Sequence, residues 1–244
     1  MRAQFLIGWI IAFFLFSGGP SFGQDIDLKS LSDTSLSRQS LQIISLVTVL
    51  SLAPGIAIMV TCFPFIVTVL SILRQALGLQ QAPPNMLLVS LALFLTYYIM
   101  EPTFREAWSS GIDPYFKSKI EIEVAFQKTL IPFQDFMSSR VDPKTLSSFM
   151  ELRNISIEEN ALPPISVLIP SFMLSEIARA FQIGFLIFLP FLVIDLVVAA
   201  VLMSMGMMMV PPVVVSLPFK LAFFVVADGW RLLSDALVRG YFPT

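Results

Sequence analysis

The sequence predicts an all-α membrane protein: two proline-kinked apolar helical hairpins flanking a mostly helical soluble insert. Of its 244 residues, 56% are hydrophobic and only 13% are charged. The mean hydropathy is +0.83, and the charges are confined to separate stretches of the chain. An average soluble domain has about a quarter of its residues charged, so helices packed in lipid or against one another fit this composition better than a water-exposed domain. A net charge of -2 gives no electrostatic footprint for nucleic acid.

Residues 1–23 read as a cleavable signal peptide. Arg2 supplies the positive end, Phe5 to Phe16 an apolar core, and Ser21 and Gly23 the small residues that flank Phe22 at a cleavage point. The 12 residues from Phe5 to Phe16 cover only about 18 Å as a helix, too short for a hydrocarbon core of about 30 Å. Removal of this leader places the following chain outside the cytoplasm. Residues 24–40 form a polar, serine-rich lead.

Residues 41–100 are expected to form the first apolar hairpin, from runs at 41–73 and 85–100. No Asp, Glu, Lys or Arg occurs from Gln39 to Leu73, nor between Arg74 and Glu101. Residues 101–160 then hold 17 charged residues, ten acidic and seven basic, and form a soluble insert expected on the periplasmic side. Residues 161–244 carry the second hairpin, from runs at 165–209 and 213–227, and a short tail. With an exported amino terminus, an even number of crossings leaves both the insert and the tail outside.

Prolines punctuate these runs. Pro54-Gly55 and Pro64 are expected to interrupt the first run and Pro83-Pro84 to open the second; Pro190 lies inside the third, and Pro211-Pro212 and Pro218 fall in the last. Each removes a backbone donor, which lipid tolerates only where neighbouring protein or a wet cavity satisfies the freed carbonyl. Broken helices therefore imply a packed assembly or a pathway, although any single proline is as well explained by a kink in a passive bundle.

Catalysis finds little to work with. The chain has no histidine and one cysteine, Cys62, within an apolar run. That inventory removes the commonest general base and most metal sites, so no cofactor and no enzymatic role are expected. Asp195 with Asp228, or a Ser-Lys dyad at Lys220, lacks any supporting motif.

Two features remain. The segment Met203-Ser204-Met205-Gly206-Met207-Met208-Met209-Val210-Pro211-Pro212 places five of 12 methionines within seven residues. Soft thioether side chains seal around irregular shapes and still yield, which suits an apolar constriction that closes by excluding water; a methionine-rich core helix has the same composition. The isolated charges Glu176, Arg179, Asp195 and Lys220 each cost about 2.5–3.5 kcal/mol at mid-membrane unless paired or wetted. Glu176 and Arg179 lie three apart on one helical face. Asp195 and Lys220 can pair if the chain folds back at Pro211-Pro212. A structural network, a charged ring in a channel and a proton relay all fit these residues.

The block from Phe181 to Lys220 resembles the FliP family of type III export gate subunits. So do LRQALGLQQAPPN (Leu73 to Asn85), LALFLTYYIMEP (Leu91 to Pro102) and Asp228-Gly229-Trp230. One departure falls at Thr61-Cys62-Phe63-Pro64-Phe65-Ile66, where the resemblance leads one to expect Thr-Ser-Phe-Thr-Arg-Ile and so an arginine at position 65. The resemblance implies a non-enzymatic subunit of the flagellar gate in the bacterial inner membrane, at the flagellar basal body. It implies several copies of this chain assembled with FliQ and FliR beside FlhB and FlhA, with FliO aiding assembly, around a path for exported unfolded polypeptides. It assigns Met207, Met208 and Met209 to a gasket flanked by Met203, Met205 and Gly206. It places Glu176 and Lys220 in a buried charged layer, counts Asp195 in the same signature, and makes Phe136 and Phe149 candidate intersubunit contacts. It also implies hairpins packed largely above the lipid plane. The alternatives are the homologous subunit of virulence secretion machines and, in a different class, a secondary transporter, which would call for a paired internal repeat that the two apolar halves lack.

Overall fold

The computed structural model describes residues 34–79, 82–155, 162–207 and 209–242, and every regular element among them is helical. The leader at 1–23 and the start of the polar lead lie outside the described residues, as does Met208. The helices are α1 (Thr34–Met59), α2 (Phe63–Ala76), α3 (Asn85–Ala107), a π-helical turn (Trp108–Ile112), α4 (Asp113–Phe116), α5 (Ile122–Arg140), α6 (Pro143–Leu152), α7 (Ile165–Ser204), α8 (Pro212–Val226) and α9 (Gly229–Arg239). Three segments are long and apolar enough to cross a membrane, Ser40–Met59, Asn85–Phe116 and Ile165–Ser204, and the bent pair α8–α9 meets the same test jointly. The chain is an all-α membrane protein.

Two compact units divide the chain, Met1–Ser51 and Leu52–Thr244. In the first, the described side chains of α1 from Ser40 onward are exposed on every face. A helix that is apolar all round has no polar face to give to water.

The second unit is built on α2. Phe65, Ile66, Val69, Leu70, Leu73 and Ala76 are all buried, spaced at three and four residues so that they share a stripe. They pack chiefly against α7 and then α3. A second cluster joins Met137 and Val141 at the end of α5 to Leu168 and Phe172 of α7, and Phe136 packs against both clusters. At position 65, where the resemblance led one to expect an arginine, Phe65 is a core residue at 2% exposure.

Not all prolines act as their sequence context implies. Pro54 sits inside an unbroken α1 and Pro190 inside α7, which runs 40 residues without interruption. The first apolar run instead breaks at Val60 to Cys62. There the Thr61 hydroxyl donates to the Ile58 carbonyl and accepts from the Phe63 N–H, giving the backbone a local alternative to the helix. Pro64, Pro84, Pro114, Pro143, Pro164 and Pro211-Pro212 mark helix starts instead, where the missing N–H is an orphan in any case. The helix α3 also continues past residue 100 to Ala107, because Glu101 and Arg105 pair on its exposed face without disturbing the backbone.

Close approach of α2 and α7 depends on Gly184. A β-carbon there would collide with Cδ1 of Ile72 and lie 3.0 Å from its Cγ2. Gly184→Val is expected to lower stability by about 1–3 kcal/mol through overpacking, with Gly184→Ala losing less, as measured by thermal unfolding in detergent.

Candidate functional site

Two buried polar nodes and one exposed turn make up the site. The first node starts from the way α2 ends. Gly78, at φ +75°, lets the Gly78 N–H donate to the Gln75 carbonyl and the Leu79 N–H to the Arg74 carbonyl. This glycine-capped stop satisfies two terminal carbonyls. The carbonyl of Ala76 accepts instead from Lys220 Nζ at 3.0 Å.

Lys220, on α8, is 3% exposed. Its ammonium also donates to Asp195 Oδ2 of α7 at 2.6 Å, and the other oxygen of Asp195 accepts from the Ser216 hydroxyl, one turn before Lys220. A cation at the C-terminal end of a helix meets the negative end of its dipole, so this one ammonium ties together α2, α7 and α8.

The second node centres on Glu176 of α7, which is fully buried. Its Oε1 accepts from Arg179 Nη1 at 2.7 Å and from Arg140 Nε at 3.4 Å, and its Oε2 from the Tyr241 hydroxyl. Arg179 Nη2 also donates to the Arg140 carbonyl at 3.0 Å. One residue earlier, the Ser175 hydroxyl accepts from the Asp142 N–H at 2.9 Å, and Asp142 caps α6 by accepting from the Thr145 N–H. That hydrogen bond holds the Asp142 carboxyl below the usual range. Burial, with the Glu176 carboxylate beside it, holds the Tyr241 phenol protonated far above its ordinary value.

Between the nodes' helices lies the methionine turn. Gly206, at φ +75°, donates its N–H to the Met203 carbonyl, and the Met207 N–H donates to the Leu202 carbonyl. This is the cap seen at Gly78, so Gly206 ends α7. Pro211 and Pro212 then open α8. The side chains of Met203, Met205, Met207 and Met209 are exposed, Met209 almost completely.

Asp195 and Lys220 therefore meet, as do Glu176 and Arg179. Glu176 and Lys220 have separate partners within the chain. Phe136 is turned inward, stacked on Tyr241 and edge-on to Phe172, while Phe149 is half-buried on α6. Cys62 is buried, and burial pushes its thiol up to about 12, which leaves it a neutral hydrophobe. Among the described residues no group of three or more His, Cys, Asp or Glu is placed to hold a metal ion.

Sequence reasoning missed four partners: Arg140, Tyr241, Ser216 and the Ala76 carbonyl. Ser216 carries a signal, since it and Lys220 lie four apart in an otherwise apolar helix. Arg140 is one of seven basic residues in its insert with nothing local to single it out.

Comparison with known proteins adds an independent line. The model of the FliP family matches residues 46–237. A flagellar biosynthetic protein FliP of Caulobacter vibrioides is 53% identical over 217 residues, covering 88% of this chain and 82% of that one. The Rhizobium meliloti protein of that name is 47% identical over 92% of this chain and 93% of its own length. The Bacillus subtilis one is 46% identical over 88% and 98%.

Breaking the first node from one side is expected to be costly. Lys220→Met leaves Asp195 without its cation and should lower stability by about 3–5 kcal/mol, and Lys220→Met with Asp195→Leu should recover part of the loss. Thermal unfolding of the three proteins in one detergent checks both statements.

Proposed function

The chain belongs to the FliP family, and on that premise we propose that it is a non-enzymatic subunit of the flagellar type III protein-export gate. In this reading several copies line a conduit for unfolded polypeptides and narrow it with a methionine gasket. The observation that carries it is the turn between α7 and α8: its described methionines are exposed, while its ends are fixed by the Gly206 cap and by Lys220 with Asp195. Soft apolar side chains that stay exposed on a rigid mount among the described residues fit a seal completed by neighbouring copies. A wet pore narrowed by thioethers closes by dewetting and opens when a polypeptide displaces the side chains.

The further parts of the proposal follow the same family. The complex sits in the bacterial inner membrane at the flagellar basal body, with the insert on the periplasmic side. Its partners are FliQ, FliR, FlhB and FlhA, with FliO in assembly. Glu176, Arg179, Asp195 and Lys220 hold the subunit's geometry instead of relaying protons, because each is committed to a short hydrogen-bonded partner. Of the two candidate intersubunit aromatics, Phe149 is the more available, since Phe136 is packed inward.

Replacing Met207, Met208 and Met209 together by Ala is expected to raise ion leak through the assembled complex by about tenfold or more, by removing the dewetted constriction. Planar-bilayer or cell conductance measures it. Unchanged conductance with the complex intact would contradict the gasket.

A further inference from the structure

The two ends of α9 are held very differently. Its start is a bend: Asp228 lies at φ 52° and the axis turns by 62° from α8. Outside glycine, this left-handed region is adopted mainly by Asn and Asp. Along its length, Leu233 and Leu237 are the buried side chains.

Between α9 and the α7–α8 pair lies a cavity of about 320 Å³, lined among others by Ile183 and Phe191 of α7, Phe223 of α8, and Leu233 and Leu237 of α9. Most of the other side chains of α9 are exposed, so along its middle α9 is held chiefly by Leu233 and Leu237.

Its far end is tied instead by Gly240 to Phe242. The Gly240 carbonyl accepts from Arg140 Nη1 at 2.7 Å. The Arg140 guanidinium lies 4.0 Å from the centre of the Tyr241 ring, a cation–π contact largely removed from solvent. The Tyr241 hydroxyl donates to Glu176, its ring is edge-on to Phe65 at 5.7 Å and stacked on Phe136 at 6.1 Å, and Phe242 is edge-on to Tyr98. Three residues thus reach α2, α3, α5 and α7.

We propose that α9 is a hinged flap over the α7–α8 cleft, with its hinge at Asp228-Gly229 and its latch in the strap Gly240–Phe242, where Tyr241 is the bolt. Release of Tyr241 frees α9 to swing and opens an apolar cleft beside Leu73 and Phe191. The helices α2 and α7 stay in place, because they are joined by their own stripe, by Gly184 and by Lys220. The proposal rests on geometry within this chain and stands apart from the gate reading.

Hydrogen exchange on the full-length protein in detergent tests it. In Tyr241→Ala, the amides of α9 are expected to exchange about tenfold faster or more, as for a local opening, while α2 and the first half of α7 keep their protection. Tyr241→Phe, which keeps the ring and loses the hydroxyl, is expected to give a smaller rise confined to α9. Unchanged α9 exchange in both variants would overturn the flap. So would equal acceleration in α2, α7 and α9, which would make Tyr241 an ordinary core residue. If Tyr241→Ala does not purify, Tyr241→Phe decides alone: a rise confined to α9 supports the latch, and no rise or a uniform rise removes it.

Discussion

A single buried ammonium sets the geometry on which the candidate gate depends. Lys220 closes the free carbonyl at the end of α2 and pairs with Asp195 on α7. The ammonium is too costly to bury alone, so α8 has one register in which its charge is met from both sides. That register fixes where α8 begins, and with it the turn that carries the methionines. The stop at Gly78 matters because it brings α2 to an end at the depth of Lys220.

Polar anchoring of this kind answers a problem specific to apolar surroundings. Where lipid tails are as oily as leucine, burial of one apolar helix face differs little from burial of another, and hydrogen bonds and close packing select the arrangement. The Glu176 node does for α5, α7 and the residues after α9 what Lys220 does for α2, α7 and α8. Glycines act at the same joints. Gly184 lets α2 and α7 touch, and Gly111 lets the π-helical turn lie against α5, where a β-carbon would come within 2.6 Å of the Ala125 carbonyl oxygen. Among the described residues, α1 and the second half of α7 leave mainly apolar side chains exposed.

Much of this is legible in the residues themselves. Charge-free runs give the class, Pro83-Pro84 and Pro211-Pro212 mark real turns, and charges stranded in oily sequence are the ones that pair. Local signals fail where a neighbour decides. Pro54 and Pro190 look like breaks but leave α1 and α7 continuous, since a proline kinks or ends a helix according to what surrounds it. The real break at Thr61 turns on one hydroxyl. Glu101 and Arg105 look like the edge of an insert, yet they sit on the outer face of a helix that runs on. Arg140 reaches Glu176, 36 positions away, and Gly240, 100 positions away; at such separations no pattern of spacing announces a contact.

In the proposed gate the thioether turn faces a conduit shared by neighbouring copies, held there by Lys220. An image of the assembled complex at side-chain resolution decides this. Met207 to Met209 of each copy are expected to converge on the common axis, with each Lys220 ammonium bonded to the Ala76 carbonyl and to Asp195. Methionines directed away from that axis into acyl chains, or a Lys220 parted from Ala76 in the closed complex, would contradict it.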